Sequence, residues 1–181
     1  MTTQTRATIE DLHEVKGKAE IVDGEIVLMP PTGDDPVQAG FEIAVSLRQH
    51  ARQTRSGIAV PDNAAFHVNL PDRETFSPDA AFYTGPRTGM EYYEGAPVFA
   101  VEVRSKNDYG PKAEREIAQK RADYFRTGTQ VVWDVDLLSD EVIRSYSAAD
   151  PDHPRVFRRG ENADAEPAVP GWRILVDDLF S

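Results

Sequence analysis

The chain has 181 residues, a length that suits one domain with a sizeable core, and its 40% hydrophobic and 28% charged content is ordinary for a globular protein. It has no cysteine, which excludes disulfides, thiolate metal ligands and a cysteine nucleophile. No apolar run approaches the roughly 18 residues of a membrane span, and the N-terminus has no signal-peptide core. These features predict a cytoplasmic protein with no membrane association. The net charge of -11 argues against broad electrostatic attraction to nucleic acid, although carboxylates that hold metal ions add to that count.

"TIEDLHEV" predicts a short helix with Thr8 as cap and Asp11 three places on. "AEIVDGEIVLM" predicts a hairpin turning at Asp23-Gly24. After the loop "PPTGDD", Asp34 or Asp35 can cap a long helix that stops near Ser56-Gly57. Val37, Phe41, Ala44, Leu47 and Ala51 would form its apolar face. "GIAV", "AAFHVNL" and "DAAFY" predict strands, with "PDRETFSP" a turn or loop between the last two and "TGPRTGMEYYEGAP" a long connection after them. A buried strand "VFAVEV" follows, then a second long helix from about Pro111 to Thr127, stopped by Gly128. "QVVWDVD", "EVIRSYS" and "RVFRRG" predict further strands, the last after "PDHP". "VPGWRILVDDLF" supplies an apolar segment that packs on the body. This order predicts an α+β or α/β fold: one domain over residues 1–181, a central mixed sheet flanked by helices, with residues 148–181 packing on it.

Three charged groups stand in apolar settings. Asp79 opens a short strand behind Pro78, and Glu102 interrupts the buried run "VFAVEV". Two carboxylates on adjacent strands suit a hard divalent cation, which takes oxygen ligands and keeps waters. Taken singly, an Asp after Pro also reads as a turn device, and a Glu near a strand end as a group reaching solvent. Lys120 lies three residues after Ile117 and four before Tyr124, on the inward stripe of its helix. It must snorkel to solvent or pair with an acid, and Glu102 is the natural partner. The four histidines are scattered, no serine has a nucleophile-elbow context, and no phosphate-binding loop is present.

Taken together, "EIVDGEIVLMPP", "SPDAAFY", "VFAVEVRS" and "KRADYFRTGTQVVWDVD" resemble the Uma-two family of the PD-(D/E)XK nuclease superfamily, over about residues 19–147. The resemblance implies a restriction-endonuclease-like fold. It also implies that Asp79 is the aspartate of the "PD" element and Glu102 the acid of the second element. Arg104 stands where the superfamily carries a lysine, two places after the acid. In the Uma-like branch that lysine comes from the following helix, which points to Lys120. Glu20 matches a family position for an extra acid near the metal. The implied activity is a Mg2+- or Mn2+-dependent endonuclease acting on DNA, with Asp79, Glu102 and Lys120 catalytic, and Asp79, Glu102 and Glu20 as metal ligands. Arg104 would contact a substrate phosphate or pair with a local acid. Analogy with nucleases that cut both strands implies a homodimer. The alternatives are an inactive nuclease-like scaffold serving as a binding or assembly module, and a metal-dependent hydrolase of another phosphoester.

Overall fold

The computed structural model describes residues 6–181. Thr8 opens helix α1 (Ile9–His13) through a capping box: its hydroxyl accepts from the Asp11 amide, and its amide donates to the Asp11 carboxylate. Strands β1 (Ala19–Val22) and β2 (Glu25–Leu28) form the expected hairpin. Asp23 and Gly24 turn it at φ 52° and 77°, the left-handed pair that a tight hairpin turn requires.

Helix α2 (Asp34–Thr54) differs from expectation in two ways. Its N-cap is Gly33, and Asp34 and Asp35 instead occupy the first turn, where the positive pole of the helix favours them. Its inward face is also rotated: Ala39, Gly40, Ile43, Ala44 and Leu47 are buried, whereas Val37 and Phe41 are 46% and 57% exposed. The small residues Ala39 and Gly40 allow a close approach, and Gly40 packs against the backbone of Asp79.

The chain continues through β3 (Ile58–Pro61), β4 (Phe66–His67), β5 (Thr75–Phe76), β6 (Ala80–Tyr83), β7 (Tyr93–Glu94), β8 (Phe99–Val103), α3 (Pro111–Arg126) and β9 (Val131–Val135). It ends with β10 (Ile143–Ser147), β11 (Asp150–Phe157), β12 (Asn162–Asp164), β13 (Arg173–Leu175) and a 3-10 helix (Val176–Phe180). Six strands form the main sheet in the order β11-β10-β9-β8-β6-β3. β8 and β9 are parallel, with α3 as their crossover, and the other pairs are antiparallel. The sheet is therefore mixed, as expected. Two stretches read as loops contain short strands: β5 pairs with β4 in "PDRETFSP", and β7 pairs with β4 from within the long Gly-rich connection. β11 begins at Asp150 and takes in "PDHP"; Pro151 and Pro154 are tolerated because β11 is an edge strand.

The alternation of β8 and β9 divides the core. Phe99, Val101, Val131, Trp133 and Val135 pack with Ile43 and Leu47 of α2 and with Trp172, Val176 and Leu179 of the C-terminal segment. The Trp172 indole donates to Ser46 Oγ at 3.0 Å, which pins that segment to α2. On the other face, Ala81, Ala100 and Val132 pack with Phe76 and with Tyr124 of α3. Among the described residues no helix is long and apolar enough to cross a membrane.

Candidate active site

Asp79 comes opposite Glu102 because β6 and β8 pair antiparallel with Ala80 opposite Val101, and Asp79 stands one residue before Ala80. The Asp79 amide donates to the Val101 carbonyl at 3.0 Å. Its carboxylate Oδ2 accepts from the Val103 amide at 2.7 Å, which fixes the side chain across the strand pair. Glu102 points to the face covered by α3, and so a charged residue interrupts an otherwise apolar strand.

Helix α3 supplies two partners one turn apart. Lys120 Nζ lies 2.9 Å from Glu102, and the Tyr124 hydroxyl donates to Glu102 Oε1 at 2.7 Å. Lys120 also lies 2.9 Å from Glu20 Oε1. Glu20 is buried, and both of its oxygens are engaged: Oε1 also accepts from the Ser77 amide, and Oε2 accepts from Arg73 at 2.7 Å. Arg73 donates in turn to Asp123 of α3 at 3.0 Å. Alternating acids and bases thus run Glu102–Lys120–Glu20–Arg73–Asp123 beneath the helix.

Electrostatics follow from that order. Burial pushes Glu20 up, but the Lys120 and Arg73 charges outweigh it and hold Glu20 below the ordinary glutamate value. Burial pushes the Glu102 carboxyl up against the pull of Lys120, and the Asp79 and Glu20 charges add to the rise. Burial alone would lower Lys120, but Glu102 and Glu20 raise it, so it is a cation at neutral pH. Burial, reinforced by the Glu102 charge, raises the Tyr124 hydroxyl and keeps it a donor.

Sequence reasoning did not single out Lys18. Its ammonium lies 2.7 Å from both Asp79 Oδ1 and Asp62 Oδ1. Burial opposes its charge, but the Asp79 and Glu102 carboxylates raise it. A signal existed: Lys18 is two residues from Glu20, on the same side of an extended chain. Arg73 and Asp123 were also missed.

Among the described residues no group of three or more Asp, Glu or His side chains is arranged to hold a divalent cation. Asp79 and Glu102 nonetheless form a two-carboxylate oxygen set of the kind magnesium completes with waters and substrate phosphate. Lys18 holds Asp79 Oδ1, and Lys120 and the Tyr124 hydroxyl hold the two Glu102 oxygens, so a cation bound there would have to share or displace these partners. A cavity of about 160 Å³ opens beside Asp79, lined also by Val37, Gly40, Phe41, Asp62 and Val103.

Arg104 is committed elsewhere. Its guanidinium grips Asp134 of β9 through two hydrogen bonds of 2.7 Å and bonds both oxygens of Glu114 of α3. Of its two expected roles, the structure shows the pairing with local acids.

A solved structure described as a "putative nuclease belonging to DUF820", from Anabaena variabilis ATCC 29413, superposes with a TM-score of 0.73 at 15% identity, over 96% of this chain and 97% of that one. That likeness establishes the fold. No curated protein matches the chain. The family model described as "Putative restriction endonuclease", Uma2, matches residues 7–177. The chain belongs to the Uma2 family.

Proposed function

We propose that the protein is a divalent-metal-dependent endonuclease that hydrolyses DNA phosphodiester bonds at Asp79, Glu102 and Lys120. The observation that carries this reading is the close set of two strand-borne carboxylates and one buried lysine, with Lys120 Nζ 2.9 Å from Glu102. Asp79 and Glu102 would hold magnesium or manganese. Such an ion, when bound, polarises the phosphate and lowers the pKa of an attacking water. Asp79 is held ready by the Val103 amide, and Glu102 by the Tyr124 hydroxyl. Lys120, kept protonated by two carboxylates, serves as a fixed cation that stabilises charge developing on the phosphate oxygens, not as a base. We assign Glu20 to positioning Lys120, since both its oxygens already accept from cations. Fold and family membership support a nuclease, and the carboxylate pair supports the metal.

The test is cleavage of plasmid and linear DNA with magnesium or manganese. The parent is expected to cut, while Asp79→Asn and Glu102→Gln do not, with melting profiles like the parent's. Equal cleavage by the parent and both variants would show the assignment to be wrong.

One observation favours the inactive scaffold as a second reading: Lys18 already neutralises Asp79, so the acids have internal counter-ions. That reading expects no divalent-metal dependence in any activity or binding of the protein.

A further inference from the structure

Val37 and Phe41 line the cavity beside Asp79 from the N-terminal half of α2. Beyond Phe41, Val45, Arg48 and Arg52 recur at steps of four, three and four, which keeps them on the same face of α2, and Arg55 follows as its C-cap in the left-handed conformation. Arg48, Arg52 and Arg55 are exposed. Among the described residues, none of the three guanidiniums makes an ion pair or a hydrogen bond through its side chain. Arg73, Arg104, Arg126, Arg155, Arg158 and Arg159 are paired with acids, while Arg87, Arg115 and Arg173 also make no such contact but are scattered over other elements, so what distinguishes the α2 arginines is their clustering. Three unpaired arginines so clustered are conspicuous in a chain of net charge -11. The negative pole of the helix would account for Arg52 in its last turn and Arg55 at its C-cap, but not for Arg48, further back.

The row is also long. From Phe41 to Arg55 the helix rises about 21 Å. Phosphates of one strand repeat about every 3.4 Å along a duplex, so the row spans about six of them. A mononucleotide or small phosphoester could not engage both ends. The exposed Phe41 ring, which lines the cavity beside Asp79, is a stacking surface for a base.

We propose that the outer face of α2 from Phe41 to Arg55 is the track along which a DNA strand leaves the Asp79 cavity, with a base on Phe41 and phosphates on Arg48, Arg52 and Arg55. The identity of the ligand rests on the nuclease reading, while the track itself is tested by binding alone. Fluorescence anisotropy of a labelled oligonucleotide, measured from low to moderate salt, reads the affinity. Asp79→Asn serves as the uncleaving background, and R48Q/R52Q/R55Q is added to it. Each lost phosphate contact removes about 0.7–0.9 from the slope of log K against log salt, so the triple variant should lose about 2–3. Phe41→Ala should weaken binding with no change in slope, and all variants should melt as the background does. Equal slopes in the background and the triple variant, or no DNA binding by the background, overturns the track. A parent that cleaves no DNA while the triple variant still loses its slope sinks the nuclease reading alone and leaves the track standing.

Discussion

Removing the Lys18 ammonium frees Asp79 Oδ1 and Asp62 Oδ1 together. A unit charge about 4 Å away at an effective dielectric of about 20 is worth roughly 4 kcal/mol, and about 1.4 kcal/mol already means tenfold in affinity. Lys18→Met is therefore expected to bind manganese about tenfold or more tightly than the parent by calorimetry. Weaker binding would instead make Lys18 part of the site's support. Lys120→Ala should act differently. It removes a fixed cation from the reacting phosphate, so cleavage should fall by about 10²–10³, in the range of losing one oxyanion donor. Metal binding should persist, and loss of both together would mean that Lys120 holds the carboxylates in place. Asp79, Glu102 and Lys120 were legible in the sequence because each is a charge set in an apolar pattern. Lys18 was legible only through its two-residue spacing from Glu20. Arg73 carried no local signal: it comes from a loop and reaches the site through an isolated bridge to Val22.

At the scale of elements, Arg104 and Glu20 tie α3 to the sheets through ion pairs, Glu20 in a buried pair with Lys120 and Arg104 through the exposed Glu114. Arg104 follows β8 and joins Asp134 of β9 to Glu114 of α3. Arg104→Ala leaves the buried Asp134 uncompensated, so denaturant unfolding should show a loss of about 3–5 kcal/mol. Arg104→Lys should recover only part, because an ammonium cannot reproduce the bidentate fork. Glu20 ties β1 to α3 through Lys120 and to the β5 region through Arg73, and Glu20→Gln should cost a similar amount, about 3–5 kcal/mol, at neutral pH. Because the fold lowers its pKa, the stability from Glu20 is fully present above the ordinary value of 4.5 and is lost as pH falls below it. The gap between parent and Glu20→Gln should therefore narrow in acid. Glu102 has the opposite sign, since its raised pKa lets the fold lose stability as pH rises through the folded value, and because the Glu20 charge adds to that rise, the gap between the two proteins reports Glu20 together with its effect on Glu102. A gap that widens below pH 4.5 would contradict this. Most elements were legible from period and turn residues. The two-residue strands β5 and β7 were not, because strands so short carry no period. Nor was the rotation of α2 legible, because its inward face is set by residues distant in sequence, Gly40 lying beside Asp79 39 residues away.

For the whole molecule, the question is how a chain of net charge -11 meets a polyanion. On the proposed reading, the excess acid lies partly in the site, where cations neutralise it, and the clustered arginines of α2 face the substrate. The mixed sheet carries α2 on one face and α3 on the other, and of the site residues only Asp79 lines the cavity at the start of α2. This arrangement was legible in outline from the element order, whereas the route along α2 needed the exposed position of Phe41. The central claim, that Asp79 and Glu102 together hold a divalent cation, is tested most directly by calorimetric titration of manganese into the parent, Asp79→Asn and Glu102→Gln, with an uncleavable phosphorothioate oligonucleotide present to complete the coordination. The account predicts binding by the parent that is lost in both variants while their melting is unchanged. Binding that persists in both variants, or a parent that takes up no metal even with DNA present, would contradict it.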